Sequence, residues 1–461
     1  MTLDREDYDL IIIGTGSGNT IITPEFDSWK IAIIEKGTFG GTCLNRGCIP
    51  SKMLVHVANT ICEIERSEFI GVDASVNGIR WKDIVNRIYG RIDPIAEGGK
   101  EYRENLPNVT VYKGHAKFVD NKVVEVNGMQ LGGQNIVIAT GAKPFIPPIR
   151  GLSETPYQTS DSIMRLESLP KSLSIIGGGY IATEIAHIFS SFGCRVTVFA
   201  RGPRLLRDQD KEIALRFTES FSNRVDVHLN VDIKDIFEDD SGGMSISCVT
   251  PLGDVSHASE MLLVATGRTP TADELNLNST DVTTDCGYIV TDETMRTNVD
   301  NVYALGDVTN PHQLKHSANA EARVVSHNLL NPDNPISVDL DPMPYAIFSN
   351  PQIASVGATE EDLLESQTEY VKGVADFSEV AYGWAMENTD GFCKVLACPH
   401  TGRILGSHIM GPQASTLIHQ LIQGMKFGQG VKELSRGMLY VHPALNEVVE
   451  VALLKAKDAL H

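Results

Sequence analysis

The chain has 461 residues, enough for about three domains of roughly 150 residues, each able to bury a core. Hydrophobic residues make up 42% and charged residues 21%, with no low-complexity tract, which excludes collagen-like, disordered and coiled-coil classes. Lys plus Arg total 39 against 59 Asp plus Glu, a formal charge of -20 that argues against nucleic acid as a partner.

In chain order, the acidic residues 1–7 lead into strand-like sequence without a basic n-region or an apolar h-region. No secretory signal is expected, and the cytoplasm is the expected compartment. No apolar run approaches the ~20 residues of a membrane helix, so no membrane partner is expected. Residues 8–19 (YDLIIIGTGSGN) are an apolar run that breaks into glycines, and a second apolar run, 31–35 (IAIIE), follows. This predicts strand, glycine turn, helix and strand, with Pro24 shortening or restarting the helix. Glycines at such a turn let the backbone approach a pyrophosphate, and Glu35 at the strand end can accept ribose hydroxyls.

Residues 40–52 (GGTCLNRGCIPSK) carry a C-x4-C pair. Eight cysteines are too few for a disulfide scaffold, and no second close pair or histidine complement matches a zinc site, so redox chemistry is favoured and no metal is expected. A dithiol that cycles with its disulfide needs one thiol to attack the substrate and one to exchange electrons with a donor. Lys52 falls about one helical turn beyond Cys48, where its cation can stabilise a thiolate or a reduced flavin; the alternative is an exposed helix lysine. Arg46, between the cysteines, either alters a thiol pKa or points to solvent.

The first copy closes at 136–141 (IVIATG). A second copy begins at 173–182 (LSIIGGGYIA), continues through a helix-like stretch at 183–192 and a strand at 195–200, and closes at 262–267 (LLVATG). Where the first copy has Glu35, the second has Ala200 and Arg201, with Arg204 and Arg207 close behind. Guanidinium groups there suit a 2'-phosphate, which reads copy two as an NADP(H) site; the alternative is a solvated loop. A further strand end at 301–307 (NVYALGD) and a helix at 315–330 follow, and after Pro342 the pattern changes to a third domain.

Together, the two glycine fingerprints, the GGTC-x4-C-x-P segment, the two ATG ends, the ALGD segment and His442-Pro443 followed by Glu447 resemble the flavoprotein disulfide reductase family over essentially the whole chain. The resemblance implies an α/β fold with two nested Rossmann-like dinucleotide-binding domains, for FAD and NADPH, plus a C-terminal α+β dimerisation domain. Its expected boundaries are 1–148 for the first FAD segment, 149–270 for NADPH, 271–341 for the FAD return and 342–461 for the interface domain. It implies that Cys48 is the inner, charge-transfer thiol and Cys43 the interchange thiol. His442 is then the acid/base, acting on the other subunit's flavin site in a homodimer and oriented by Glu447.

By the same resemblance Lys52 and Glu184 pair beside the flavin, and Tyr180 gates it. FAD is met by Gly14, Gly16, Ser17, Gly18, Glu35, Gly41, Thr42, Lys52, His115, Ala116, Thr140, Gly141, Asp307 and Lys315. NADPH is met by Gly177, Gly179, Tyr180, Ile181, Ala182, Arg201, Arg207, Gly267 and Arg268. The remaining cysteines have small buried or incidental roles. Lipoamide dehydrogenases carry an acid where this chain has Arg201. Residues 454–461 hold no cysteine pair of the kind seen in mercuric and large thioredoxin reductases, and CLNRGC departs from the CVNVGC of glutathione reductases. Asn19 at the third fingerprint position, with 91–96 (RIDPIA) and 381–386 (AYGWAM), is similar to the mycothione-reducing branch. A small disulfide, mycothione, is therefore the expected substrate. The alternatives are an NAD-dependent dihydrolipoamide dehydrogenase, a reductase of another low-molecular-weight disulfide, or a flavoprotein scaffold with little turnover.

Overall fold

The computed structural model describes residues 5–239 and 242–461. Two compact units emerge. The first comprises the described residues of Met1–Pro50 with Asp83–Phe145 and Arg268–Leu340; the second comprises Ser51–Lys82, Ile146–Gly267 and Asp341–His461. No helix among the described residues is long and apolar enough to cross a membrane.

In the first unit the run Arg5–Ile13 becomes a parallel strand whose last four residues are all buried, as a strand covered on both faces requires. It pairs with Ile31–Glu35 on one side and with Met129–Ile138 on the other. Val109–Lys113 extends the sheet beyond Ile31–Glu35, and Val302–Ala304 adds in parallel to the end of Met129–Ile138. The front half of that long strand instead pairs antiparallel with Val123–Val126, which in turn pairs with Lys117–Asp120.

The second unit repeats the parallel core as Asp226–His228, Arg195–Phe199, Ser172–Ile176 and Met261–Val264. Copies one and two share their closing hydrogen bonds. Gly14 N donates to Ile34 O at 2.8 Å and Ala139 N to Ile13 O at 2.8 Å; Gly177 N donates to Phe199 O at 3.0 Å and Ala265 N to Ile176 O at 2.8 Å.

The copies differ between the glycine turn and the second strand. Copy two has the helix Tyr180–Ser191, whereas copy one, contrary to the helix expected from its pattern, has only the short 3-10 turns Gly18–Thr20 and Pro24–Phe26. Pro24 lacks an N–H and, at its fixed φ, restarts the chain instead of continuing a helix. Carbonyls that helix amides would have satisfied are met by side chains from elsewhere. Arg103 donates to Asn19 O at 2.6 Å and Ile22 O at 3.3 Å, Ser326 to Ile21 O at 2.8 Å, and Asn108 to Phe26 O at 3.0 Å and Trp29 O at 2.9 Å.

The second unit also holds a five-stranded antiparallel sheet in the order Pro344–Ile347, Ile353–Gly357, Ile404–Met410, Phe392–Ala397, Val371–Asp376. The helix Glu447–Asp458 lies so close to the last strand that a Cβ on Gly373 would meet Ala452 O at 2.0 Å. On the inner strand Lys394, 1% exposed, donates to both Asp210 oxygens at 3.0 Å and to Glu360. Asp210, itself fully buried, caps the helix Lys211–Ser222 by accepting from Glu212 N at 3.1 Å and Ile213 N at 3.4 Å, and also accepts from Glu360 N at 3.1 Å.

Candidate active site

The first glycine turn is shaped by contacts that only glycine permits. Gly14 has φ +101°, and a Cβ there would meet Ala139 O at 2.4 Å; on Gly41, at φ +70°, it would meet Gly16 Cα at 2.6 Å. The fingerprint turn is thus in backbone contact with the start of Gly41–Arg46, the helix that carries Cys43. Glu35 braces the same turn, accepting from Thr15 N at 2.9 Å and Thr15 Oγ1 at 2.6 Å with one oxygen and from Gly37 N at 2.7 Å with the other. Carboxylate lone pairs remain for ribose hydroxyls.

Lys315 Nζ donates to Ser17 Oγ at 2.8 Å, and Ser17 donates to Asn319 Oδ1 at 3.1 Å. Asp307 lies on the short turn Gly306–Val308, which buried Glu321 fixes by accepting from Gly306 N at 2.6 Å and Asn310 Nδ2 at 2.7 Å. Burial pushes the Asp307 carboxyl above its usual range, against the pull of Arg268 and Lys315. Thr140 Oγ1 is buried without a hydrogen-bond partner among the described residues. A desolvated carboxylate and an unsatisfied buried hydroxyl in the unit that also carries the glycine cradle fit a dinucleotide bearing hydroxyl groups. His115 Nε2 is bonded to Glu274 O at 2.9 Å, so the backbone of 114–116 is the part left to face a ligand, with Ala116 buried.

Cys43 is half-buried, while Cys48, which opens the helix Cys48–Arg66, is exposed; both are thiols here. The hydrogen bond to Cys48, followed by burial, pushes the Cys43 thiol far above its ordinary pKa, with Lys315 drawing it down only in part. Lys52, one turn along the helix from Cys48, is no free surface lysine. Its Nζ donates to Glu184 Oε1 at 2.9 Å and Oε2 at 2.7 Å, and lies 4.6 Å from the centre of the Phe348 ring. Glu184, buried, also accepts from Phe348 N at 2.9 Å.

The second turn has the same constraint as the first: Gly177 has φ +133°, and a Cβ would meet Ala265 O at 2.2 Å. Here the positive end of Tyr180–Ser191 lies behind Gly179, at Tyr180, Ile181 and Ala182. The loop after Arg195–Phe199 folds onto this turn through Leu206 N to Gly178 O at 2.7 Å. Of its arginines, Arg201 is exposed, Arg204 donates to Arg207 O at 3.3 Å, and Arg207 lies 3.5 Å from Asp208. Arg268, grouped with NADPH by the sequence, lies in the first unit on the strand Arg268–Pro270 and donates to Ala142 O at 2.6 Å.

Near the C-terminal end, His442 Nδ1 meets Glu447 Oε1 at 2.7 Å, and Ala444 N donates to the other carboxylate oxygen at 3.0 Å. His442, followed by the Ala444 amide, holds the Glu447 carboxyl below its usual range against the effect of burial. The His442 side chain is 72% exposed, so Nε2 is presented outward from a ring whose orientation the carboxylate fixes. Leu439 and Val441 beside it are exposed.

Sequence reasoning missed Arg103, Glu321 and the Lys394–Asp210 pair. Each is a charged residue in a segment that reads as an ordinary solvated face. The one available signal was Asn19 in place of a glycine, which implies a partner for its amide.

A protein-family model described as pyridine nucleotide-disulphide oxidoreductase matches residues 8–323, and the dimerisation domain of that description matches 343–453. The chain is 44% identical over 459 residues to a mycothione reductase of Mycobacterium tuberculosis, covering 97% of this chain and 99% of that protein. It is 33% identical to a mercuric reductase of Lysinibacillus sphaericus, covering 94% of this chain and 80% of that one. It is 30% identical to a dihydrolipoyl dehydrogenase of Bacillus subtilis, covering 98% and 97%. Among solved structures, the HOCl-induced flavoprotein disulfide reductase RclA from Escherichia coli superposes with a TM-score of 0.85 at 27% identity, covering 97% of this chain and 99% of that one.

Proposed function

This chain belongs to the pyridine nucleotide-disulphide oxidoreductase family, FAD-binding enzymes that use NAD(P)H, and on that premise we propose that it reduces mycothiol disulfide with electrons from NADPH. The observation that carries the reaction type is the hydrogen-bonded Cys43–Cys48 thiol pair beside the first glycine turn, with Cys48 opening a helix. The 44% identity over nearly the whole length to a mycothione reductase supports the substrate, and exposed Arg201 in place of an acid supports NADPH over NADH.

When bound, FAD supplies the two electrons, received from NADPH as hydride, that open the Cys43–Cys48 disulfide to a thiol and a thiolate. Cys43 is the thiol that attacks the substrate, and its raised pKa means that it needs a base; His442, offered by the partner subunit, takes that proton. The Cys43 thiolate then attacks one substrate sulfur, forming a mixed disulfide and expelling the first mycothiol as a thiolate, which His442 protonates. The Cys48 thiolate attacks Cys43 in turn, re-forming the enzyme disulfide, and the second mycothiol leaves with a proton from solvent. Glu447 keeps the imidazole in one orientation through its hydrogen bond to Nδ1. The Lys52–Glu184 pair is assigned to the flavin and Arg201 to the 2'-phosphate.

The test is NADPH consumption by the purified yellow protein with mycothiol disulfide, glutathione disulfide and lipoamide in parallel, with NADH as control donor. Turnover confined to lipoamide with NADH would replace this reading by a dihydrolipoamide dehydrogenase.

A further inference from the structure

The first glycine turn carries a buried cation that the reaction above does not use. Arg103, in the helix Trp81–Glu104, is 7% exposed. Its Nε donates to Asn19 Oδ1 at 2.9 Å and its Nη2 to the Asn19 and Ile22 carbonyls. The guanidinium carbon lies 5.3 Å from the centre of the Tyr102 ring. No carboxylate pairs with Arg103 among the described residues, and burial draws its pKa down. A guanidinium taken out of water with only neutral acceptors is costly unless an anion balances it.

The place of this cation supplies that anion. In a nucleotide-binding unit the helix after the glycine turn sets about half a unit of positive charge against the pyrophosphate. Copy two keeps that helix, but copy one has two 3-10 turns of three residues each, with almost no aligned dipole. Arg103 is bonded to Asn19, the residue standing where the fingerprint would carry its third glycine.

We propose that Arg103, acting through Asn19, replaces the missing helix as the positive charge behind the pyrophosphate of FAD, and that this diphosphate is the counter-charge Arg103 lacks. Arg103 is a positioning residue for the cofactor. The proposal rests on the reading that the first turn holds FAD. The second turn, which retains its helix, needs no such residue and serves as an internal control.

The test dilutes the holoenzyme and reads released FAD by its fluorescence, with NADP+ affinity measured on the same samples by equilibrium dialysis. Arg103→Met is expected to weaken FAD binding by about tenfold or more, Arg103→Lys to stay within about threefold of the parent, and NADP+ affinity to be unchanged in both. A folded Arg103→Met that holds FAD within about threefold of the parent overturns the proposal. So does an equal loss in Arg103→Lys, because the geometry of the fork rather than the charge would then matter. If Arg103→Met does not fold, Arg103→Gln, which keeps donors for the carbonyls without the charge, takes its place with the same two readings. A parent protein that takes up no flavin overturns the assignment of the turn, and the proposal with it.

Discussion

Lys394→Met isolates the electrostatic knot of the second unit. The substitution removes the cation between Asp210 and Glu360 and leaves the fully buried Asp210 charged without its partner. Removing one member of a buried ion pair costs about 3–5 kcal/mol. The low end, about 3 kcal/mol, is expected because Asp210 keeps three backbone N–H donors, and Glu360 keeps Lys372 at 3.0 Å and Tyr370 at 2.7 Å. Adding Asp210→Asn removes the stranded charge yet leaves an N-cap acceptor, so the double variant should recover about half of the loss.

Urea unfolding of the holoenzyme reads both values. Acid provides a second readout. Burial pushes Glu360 up, but the Lys394, Tyr370 and Lys372 hydrogen bonds bring it down to about 2, and Asp210, also pushed up by burial, is held below its usual range by His408 and Lys394. Folded pKa values below the unfolded ones give stability that is fully present above about pH 4.5 and lost as pH falls toward 2. The parent should therefore lose more stability than Lys394→Met over that window. Asp210 also ends the loop that carries Arg201, so KM for NADPH should rise with kcat unchanged. A single-variant cost below about 1 kcal/mol, or no recovery in the double variant, would refute the reasoning.

Glu447→Gln should lower kcat about a hundredfold while reduction of the flavin by NADPH, followed by stopped flow, stays at the parent rate; an equal loss in both steps would remove His442 from substrate chemistry. Arg201→Glu should shift the ratio of kcat/KM for NADPH over NADH toward NADH by about a hundredfold, and an unchanged ratio would make this arginine a solvated surface group. Cys43→Ser should keep a long-wavelength absorbance from the Cys48 thiolate against oxidised flavin but lose disulfide turnover, whereas Cys48→Ser should lose both. Absorbance retained in Cys48→Ser would reverse the thiol roles.

Much of this architecture was legible in the sequence because it is local. Glycine turns between apolar runs, the two ATG ends, the C-x4-C spacing and the helix Lys315–Leu330 all read directly from neighbouring residues. The exception in copy one is equally instructive: the pattern called for a helix, Pro24 argued against its continuity, and the proline prevailed. What remained hidden is non-local. Nothing in the sequence around Arg103 or Lys394 distinguishes a buried guanidinium or ammonium from a solvated one, because the partners that stabilise each lie 84 and 184 residues away.

The side-chain substitutes for the first-copy helix have a consequence for the order in which the protein is made. In copy two, carbonyls of Tyr180–Ser191 find amides within the same helix, so that segment needs no side-chain donor from later in the chain. In copy one, the carbonyls of Asn19, Ile21, Ile22 and Trp29 depend on Arg103, Asn108 and Ser326. The first nucleotide cradle to be translated is thus the last to be finished, because the Ile21 carbonyl of its turn waits through some three hundred residues of synthesis for its donor, Ser326. A nascent chain truncated before Ser326 should accordingly protect the second cradle from proteolysis and leave the first open.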